Sequence, residues 1–131
     1  MIGALTGLVT HKFEDRLIVQ PNGVGYEVYV PISFISKVVT GEEVELFTPL
    51  YVREDIFTLY GFSSIESIEI FRLLISVSGV GPKTALGVLS SASPEEIKTA
   101  VAQADKGAFS AVSGIGKKTA GRIILELQSK L

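Results

Sequence analysis

Along the first sixty residues the apolar positions come in short runs with a period of two. "ALTGLVT" (4–10) and "YEVYV" (26–30) alternate apolar with small or polar residues, and the short apolar run "RLIVQ" (16–20) lies between them. That spacing places one face of a β-strand in a core. "VELFTPLYV" (44–52) and "IFTLYGF" (56–62) are two further β-branched and aromatic runs, joined across Arg53-Glu54-Asp55. "PISFISKV" (31–38) predicts a short turn or helical link. Five or so short strands in this length predict a small OB-like barrel. From Ser63 onward the period changes. Ile65, Ile68, Phe71, Leu74 and Ile75 fall at helical spacing, and so do Ala120, Ile123, Ile124, Leu127 and Leu131. Ser63 with Glu66, and Ser93-Pro94-Glu95-Glu96, are the chemistry of helix starts. The prediction is α+β: a barrel domain over 1–62, then an all-α domain over 63–131.

Within the helical half one phrase occurs twice. "SGVGPKTA" begins at Ser78 and "SGIGKKTA" at Ser113, 35 residues later. Each copy lies between two helical runs, so each unit reads as helix, glycine hairpin, helix. Gly79 and Gly81, and Gly114 and Gly116, leave the turn without side chains, so it bends sharply and another surface can approach it. Val80 and Ile115 are placed to plug the space between the helices. Pro82 suits the first position of a helix, where a missing N–H costs nothing. Thr84 and Thr119 are small polar groups in that same turn. The product is a helix N-terminus with free N–H groups, a dipole worth roughly half a positive charge, and lysines beside it. Lys83 supplies the cation in the first copy. Lys117 and Lys118 supply it in the second, with Arg122 farther along the same helix. Two such sites suit two phosphates of one nucleic-acid backbone. Amides and lysines read charge and shape rather than base edges, so binding is expected to be independent of sequence.

Charge changes the picture in one respect. The net charge is −2, a weak argument against a nucleic-acid partner. The balance is uneven, however. Residues 1–63 carry four basic side chains against eight acidic, and residues 64–131 carry eight basic against six acidic. Opposite signs suggest two domains with different tasks. There is no cysteine and one histidine, His11, which leaves no parts for a thiol-ligated or two-His metal site. No metal, cofactor or catalytic group is expected. The repeat is not a nucleotide-binding P-loop either. Gly116-Lys117 is followed by Lys118 instead of Ser or Thr, Ala111 stands where the first glycine belongs, and the first copy has Pro82 in place of the lysine. A DNA-processing enzyme built on the same hairpins would need a catalytic Lys or Asp in a pocket, or acids holding Mg²⁺. A protein-interaction module with the same turns would show no salt-dependent DNA binding.

The two copies look like tandem helix-hairpin-helix motifs. Taken with "NGVGYEV" (22–28) and "VREDIFTLYGF" (52–62), in order along the whole chain, they resemble the RuvA family of bacterial Holliday-junction-binding proteins. The resemblance implies an OB-fold domain, a tandem helix-hairpin-helix domain, and a cytoplasmic homotetramer, two of which can enclose a four-way junction. It implies a non-enzymatic subunit that targets the RuvB ATPase for branch migration in recombination, repair and the SOS response, alongside the RuvC resolvase. Phosphate contacts would fall on Gly79, Gly81, Lys83, Thr84, Gly114, Gly116, Lys117, Lys118 and Arg122. Glu54 and Asp55 match an acidic pin at the junction centre, with Arg53 as a basic neighbour. The family carries a third, motor-binding domain. This sequence stops at Leu131, so that domain is expected to be absent and coupling to the motor poor.

Overall fold

The computed structural model describes residues 2–53 and 56–131. It contains two compact units, Met1–Ile68 and Glu69–Leu131. The chain passes from one to the other inside a helix, a few residues beyond the Gly61-Phe62-Ser63-Ser64 boundary expected from sequence.

The first unit is a β-barrel. Its strands are β1 (Ala4–Lys12), β2 (Arg16–Gln20), β3 (Tyr26–Tyr29), β4 (Glu43–Phe47), β5 (Leu50–Arg53) and β6 (Ile56–Tyr60), with a one-turn helix α1 (Ile32–Ile35) after β3. The sheet order is β4-β1-β2-β3-β6-β5. Strand β1 serves two neighbours, pairing with β4 through Ala4–Leu8 and with β2 through Leu8–Lys12. The register shifts between Val9 and His11, a bulge that bends the strand so that it can do both. β3 and β6 pair in parallel. The ring then closes where Phe47 and Phe62 exchange two backbone bonds, Phe47 N–H to Phe62 O at 2.8 Å and Phe62 N–H to Phe47 O at 3.0 Å. This bridge ties the end of β4 to the chain just after β6 and so joins the two sides of the sheet into a ring. This is the OB-type barrel that the alternating runs predict. Leu5, Val9, Leu17, Val19, Val28, Val30, Val44 and Leu46 form its core.

Sequence and structure differ at one run. "VELFTPLYV" is two strands, because Thr48-Pro49 breaks it. Proline cannot donate to a ladder. Thr48 turns inward instead, is fully buried, and satisfies itself by donating its hydroxyl to Ile2 O (3.2 Å) and its N–H to Gly3 O (3.0 Å). The break makes β5 an extra strand, paired only with β6. Arg53 lies opposite Ile56 in that pair. The two intervening residues, Glu54 and Asp55, lie outside the described residues.

The second unit is helical, with α2 (Ile65–Ile75), α3 (Pro82–Ser91), α4 (Pro94–Ala102), α5 (Lys106–Ser110) and α6 (Lys117–Gln128). The cap of α2 sits one residue later than the sequence suggests. Ser67 N–H bonds Ser64 Oγ at 3.2 Å. Ser64 also shares a hydroxyl–hydroxyl bond with Ser67 at 3.0 Å. Along α2, Ile68, Phe71 and Leu74 are buried as expected, joined by Ile70, while Ile65 is exposed. On α6, Ala120, Ile123, Ile124 and Leu127 are buried. Leu131 lies past the helix and is half exposed.

Ser93 forms a full capping box on α4, accepting from Glu96 N–H at 3.2 Å while Glu96 Oε1 accepts from Ser93 N–H at 3.0 Å. The bond from the Ser93 backbone, and then that from its hydroxyl, hold the Glu96 carboxyl below the usual carboxylate range. Ser93→Ala is expected to cost about 1 kcal/mol at neutral pH. A depressed carboxylate stabilises the fold above its unfolded pKa, and that contribution fades as pH falls through the folded value. The deficit should therefore shrink in acid, as urea melts of both proteins at neutral and acid pH would show. An equal deficit at both would mean that the Ser93 hydroxyl does not help to hold the carboxylate, since the backbone N–H that bonds Glu96 survives the substitution.

Candidate nucleic-acid interface

The two hairpins are conformational copies. Gly79 and Gly114 have φ of +92° and +91°, a region that side chains strain to enter. Val80 N–H bonds Val77 O at 3.1 Å, and Ile115 N–H bonds Val112 O at 3.1 Å. Val80 and Ile115 are both buried, so they fill the gap between helices as the sequence suggests. Gly81 and Gly116 are the N-caps of α3 and α6. Both are extended, and neither helix receives a side-chain cap.

The absent caps set the chemistry. The first intrahelical bonds run from Ala85 N–H to Gly81 O (3.0 Å) and from Ala120 N–H to Gly116 O (2.9 Å). The N–H groups before them, of Lys83 and Thr84 in α3 and of Lys117, Lys118 and Thr119 in α6, belong to the turn that has no acceptor within the helix. A Cβ at Gly81 or Gly116 would meet nothing within 4 Å, so the approach to these amides is open. Lys83, Lys117 and Lys118 are exposed beside them. Each helix start is thus bare, positively polarised and flanked by ammonium groups, a receptor for an anion the size of a phosphate.

The tertiary fold then sets the copies against each other. A Cβ on Gly79 would lie 3.6 Å from Thr119 Oγ1, and one on Gly114 would lie 3.3 Å from Thr84 Oγ1. Residues 79 and 114 are 35 apart, as are 84 and 119. One contact therefore maps onto the other when the copies are exchanged, which is the signature of a local two-fold. Thr119 consequently has the same standing as Thr84, although the sequence marked only Thr84 as a contact. The pair presents two uncapped, lysine-flanked helix starts related by a dyad.

The copies are not identical. Pro82 occupies the position of Lys117, so the first receptor has one N–H and one cation fewer. Arg122 partly restores the balance. Sequence groups it with the second motif, but its Nη1 donates to Ser78 O at 3.3 Å, on the first hairpin. Gly79, Gly81, Lys83, Thr84 and Arg122 thus lie together, and Gly114, Gly116, Lys117 and Lys118 form the second group. Arg53 ends β5 in the other unit, and Glu54 and Asp55 are outside the described residues. Among the described residues no group of three or more His, Asp or Glu is placed to hold a metal. No described helix is long and apolar enough to cross a membrane.

A barrel followed by two dyad-related glycine hairpins defines a tandem helix-hairpin-helix protein on an OB scaffold. Comparison with known proteins agrees for both parts. Residues 1–61 match the RuvA N-terminal domain, and residues 71–129 match the SAM-like helix-hairpin-helix tandem. Similar relatives are named Holliday junction branch migration complex subunit RuvA. That of Acetivibrio thermocellus is 48% identical over all of this chain and 65% of its own length. That of Neisseria meningitidis is 47% identical over 68% of its length, and that of a Polaromonas species 50% identical over 70%. The chain belongs to the RuvA family, and it spans about two thirds of the length of these relatives.

Proposed function

We propose that this chain binds four-way junction DNA through backbone phosphates, without regard to sequence, as a non-enzymatic part of a branch-migration complex. The observation that carries the reading is the dyad-related pair of uncapped helix starts with lysines at their mouths. A duplex has its own local dyad, relating its two antiparallel strands. Two receptors related in the same way suit one phosphate from each strand, where the sequence alone suggested two phosphates of one backbone, and their uncapped amides and lysines answer to charge and shape. The names of the relatives supply the junction and the branch-migration complex.

In this reading four copies form a flat tetramer, one on each arm, in the bacterial cytoplasm, and a second tetramer can close over the other face. RuvB supplies the ATPase and RuvC resolves the product. Glu54 and Asp55, between β5 and β6, then serve as the acidic pin at the centre, with Arg53 beside them. A carboxylate about 4 Å from a phosphate is repelled by about 1 kcal/mol in water and about 4 kcal/mol at an effective dielectric near 20. Eight such carboxylates around a four-fold axis would hold the exchanging backbones apart and the junction open.

The test is a competition gel shift between a synthetic four-way junction and a linear duplex with the same arm sequences, across a salt series. Preference for the junction, with affinity falling as salt rises, is the expected result. Equal affinity for both would remove the junction assignment and leave a general DNA binder. Strand cleavage on adding Mg²⁺ would point to an enzyme.

A further inference from the structure

Lys106 is an exposed lysine at the start of α5 that the two hairpins do not account for. Its side chain crosses to α6. A Cβ built on Gly121 would lie 3.8 Å from Lys106 Cε and 3.9 Å from Lys106 Nζ. Gly121 therefore leaves a bare stretch of helix surface, and the lysine stem occupies it with its ammonium at the end. Gly121 is four residues beyond Lys117 and three beyond Lys118, so it lies on their stripe of α6, one turn along, roughly 6 Å down the axis. Among the described residues Lys106 makes no ion pair. Its chain neighbour Asp105 is engaged in capping α5, accepting from Ala108 N–H at 3.2 Å.

The repeat gives this placement a reason. The first hairpin receives Arg122 from the opposite motif. The equivalent position for the second hairpin is Gly87, 35 residues earlier, which has no side chain to send across. We infer that Lys106 is a third cation of the second receptor and binds the backbone phosphate next along the strand from the one held at the start of α6. The inference rests on the phosphate-binding reading above. It deepens that reading by lengthening the second receptor from one phosphate to two in succession.

The experiment measures affinity for a four-way junction across a salt series for the parent chain, Lys106→Ala, Lys106→Arg and Lys118→Ala. Lys106→Ala is expected to weaken binding roughly five- to tenfold and to lower the salt slope by about 1, with the melting temperature unchanged. Lys106→Arg should keep both affinity and slope. If Lys106→Ala binds like the parent while Lys118→Ala is weakened, the inference is overturned and the phosphate-binding reading stands. If neither substitution changes affinity or slope, the reading fails and the inference fails with it.

Discussion

Reversing the charge at Lys83 and Lys118 together, as Lys83→Glu with Lys118→Glu, lowers affinity for a four-way junction at least about 100-fold, since a charge-assisted contact contributes about 1.5–3 kcal/mol. The two lysines are repeat equivalents, one at each receptor. Both are exposed, and neither joins an ion pair among the described residues. The fold should therefore be indifferent, with stability within about 0.5 kcal/mol of the parent. Each reversal removes an ammonium from a phosphate and leaves a carboxylate in its place. The slope of log affinity against log salt should fall by about 2, because two fewer counterions are released. A gel-shift series with melting curves alongside checks all three quantities. Parent-like affinity and slope in a protein of parent-like stability would show that the hairpins do not hold phosphates.

The second large effect is on stability. Gly61→Ala is expected to destabilise the barrel by about 3 kcal/mol, the upper part of the usual range for overpacking a close-packed interior. Gly61 follows β6 at the point of closure, where its N–H bonds Tyr29 O at 2.8 Å. A Cβ there would lie 2.6 Å from Val28 Cγ1, 3.1 Å from Leu46 Cδ1 and 3.2 Å from Val30 Cγ1. Those three side chains are essentially without solvent exposure, so none has an easy direction in which to yield. Gly3→Ala is the matched control, because a Cβ at Gly3 meets nothing within 4 Å. Thermal melts should separate the two by on the order of 10 °C or more. Coincident melts would mean that the closure relaxes without loss and that packing does not require glycine at 61. Gly61 lies within "VREDIFTLYGF", one of the stretches on which the family resemblance rests, and the barrel interior supplies a physical reason for its place there.

Much of the architecture follows from local chemistry. Period-two runs became strands because alternation leaves one apolar face to bury. Ser93-Pro94-Glu95-Glu96 started a helix because the cap, the ring and the acid each satisfy that helix end alone. The hairpins were legible for the same reason. A positive φ at Gly79 and Gly114, a plug at Val80 and Ile115, and uncapped amides after Gly81 and Gly116 all arise within eight residues. Where neighbours distant in sequence intervene, local reading slipped. The split at Thr48-Pro49 depends on Thr48 finding Ile2 and Gly3. The closure of the barrel depends on Phe47 finding Phe62.

By itself the sequence determined that there are two kinds of domain, that there are two glycine hairpins opening uncapped helices, and that each carries lysine. Those are properties of short stretches, in which backbone dihedrals and nearest neighbours decide the energy. Only the tertiary structure decided how the receptors are arranged. It set Gly79 against Thr119 and Gly114 against Thr84, carried Arg122 from its own motif to the other hairpin, and laid Lys106 over Gly121. None of these pairs can be inferred from spacing, because each is created by the packing of helices whose contact is indifferent to their distance along the chain.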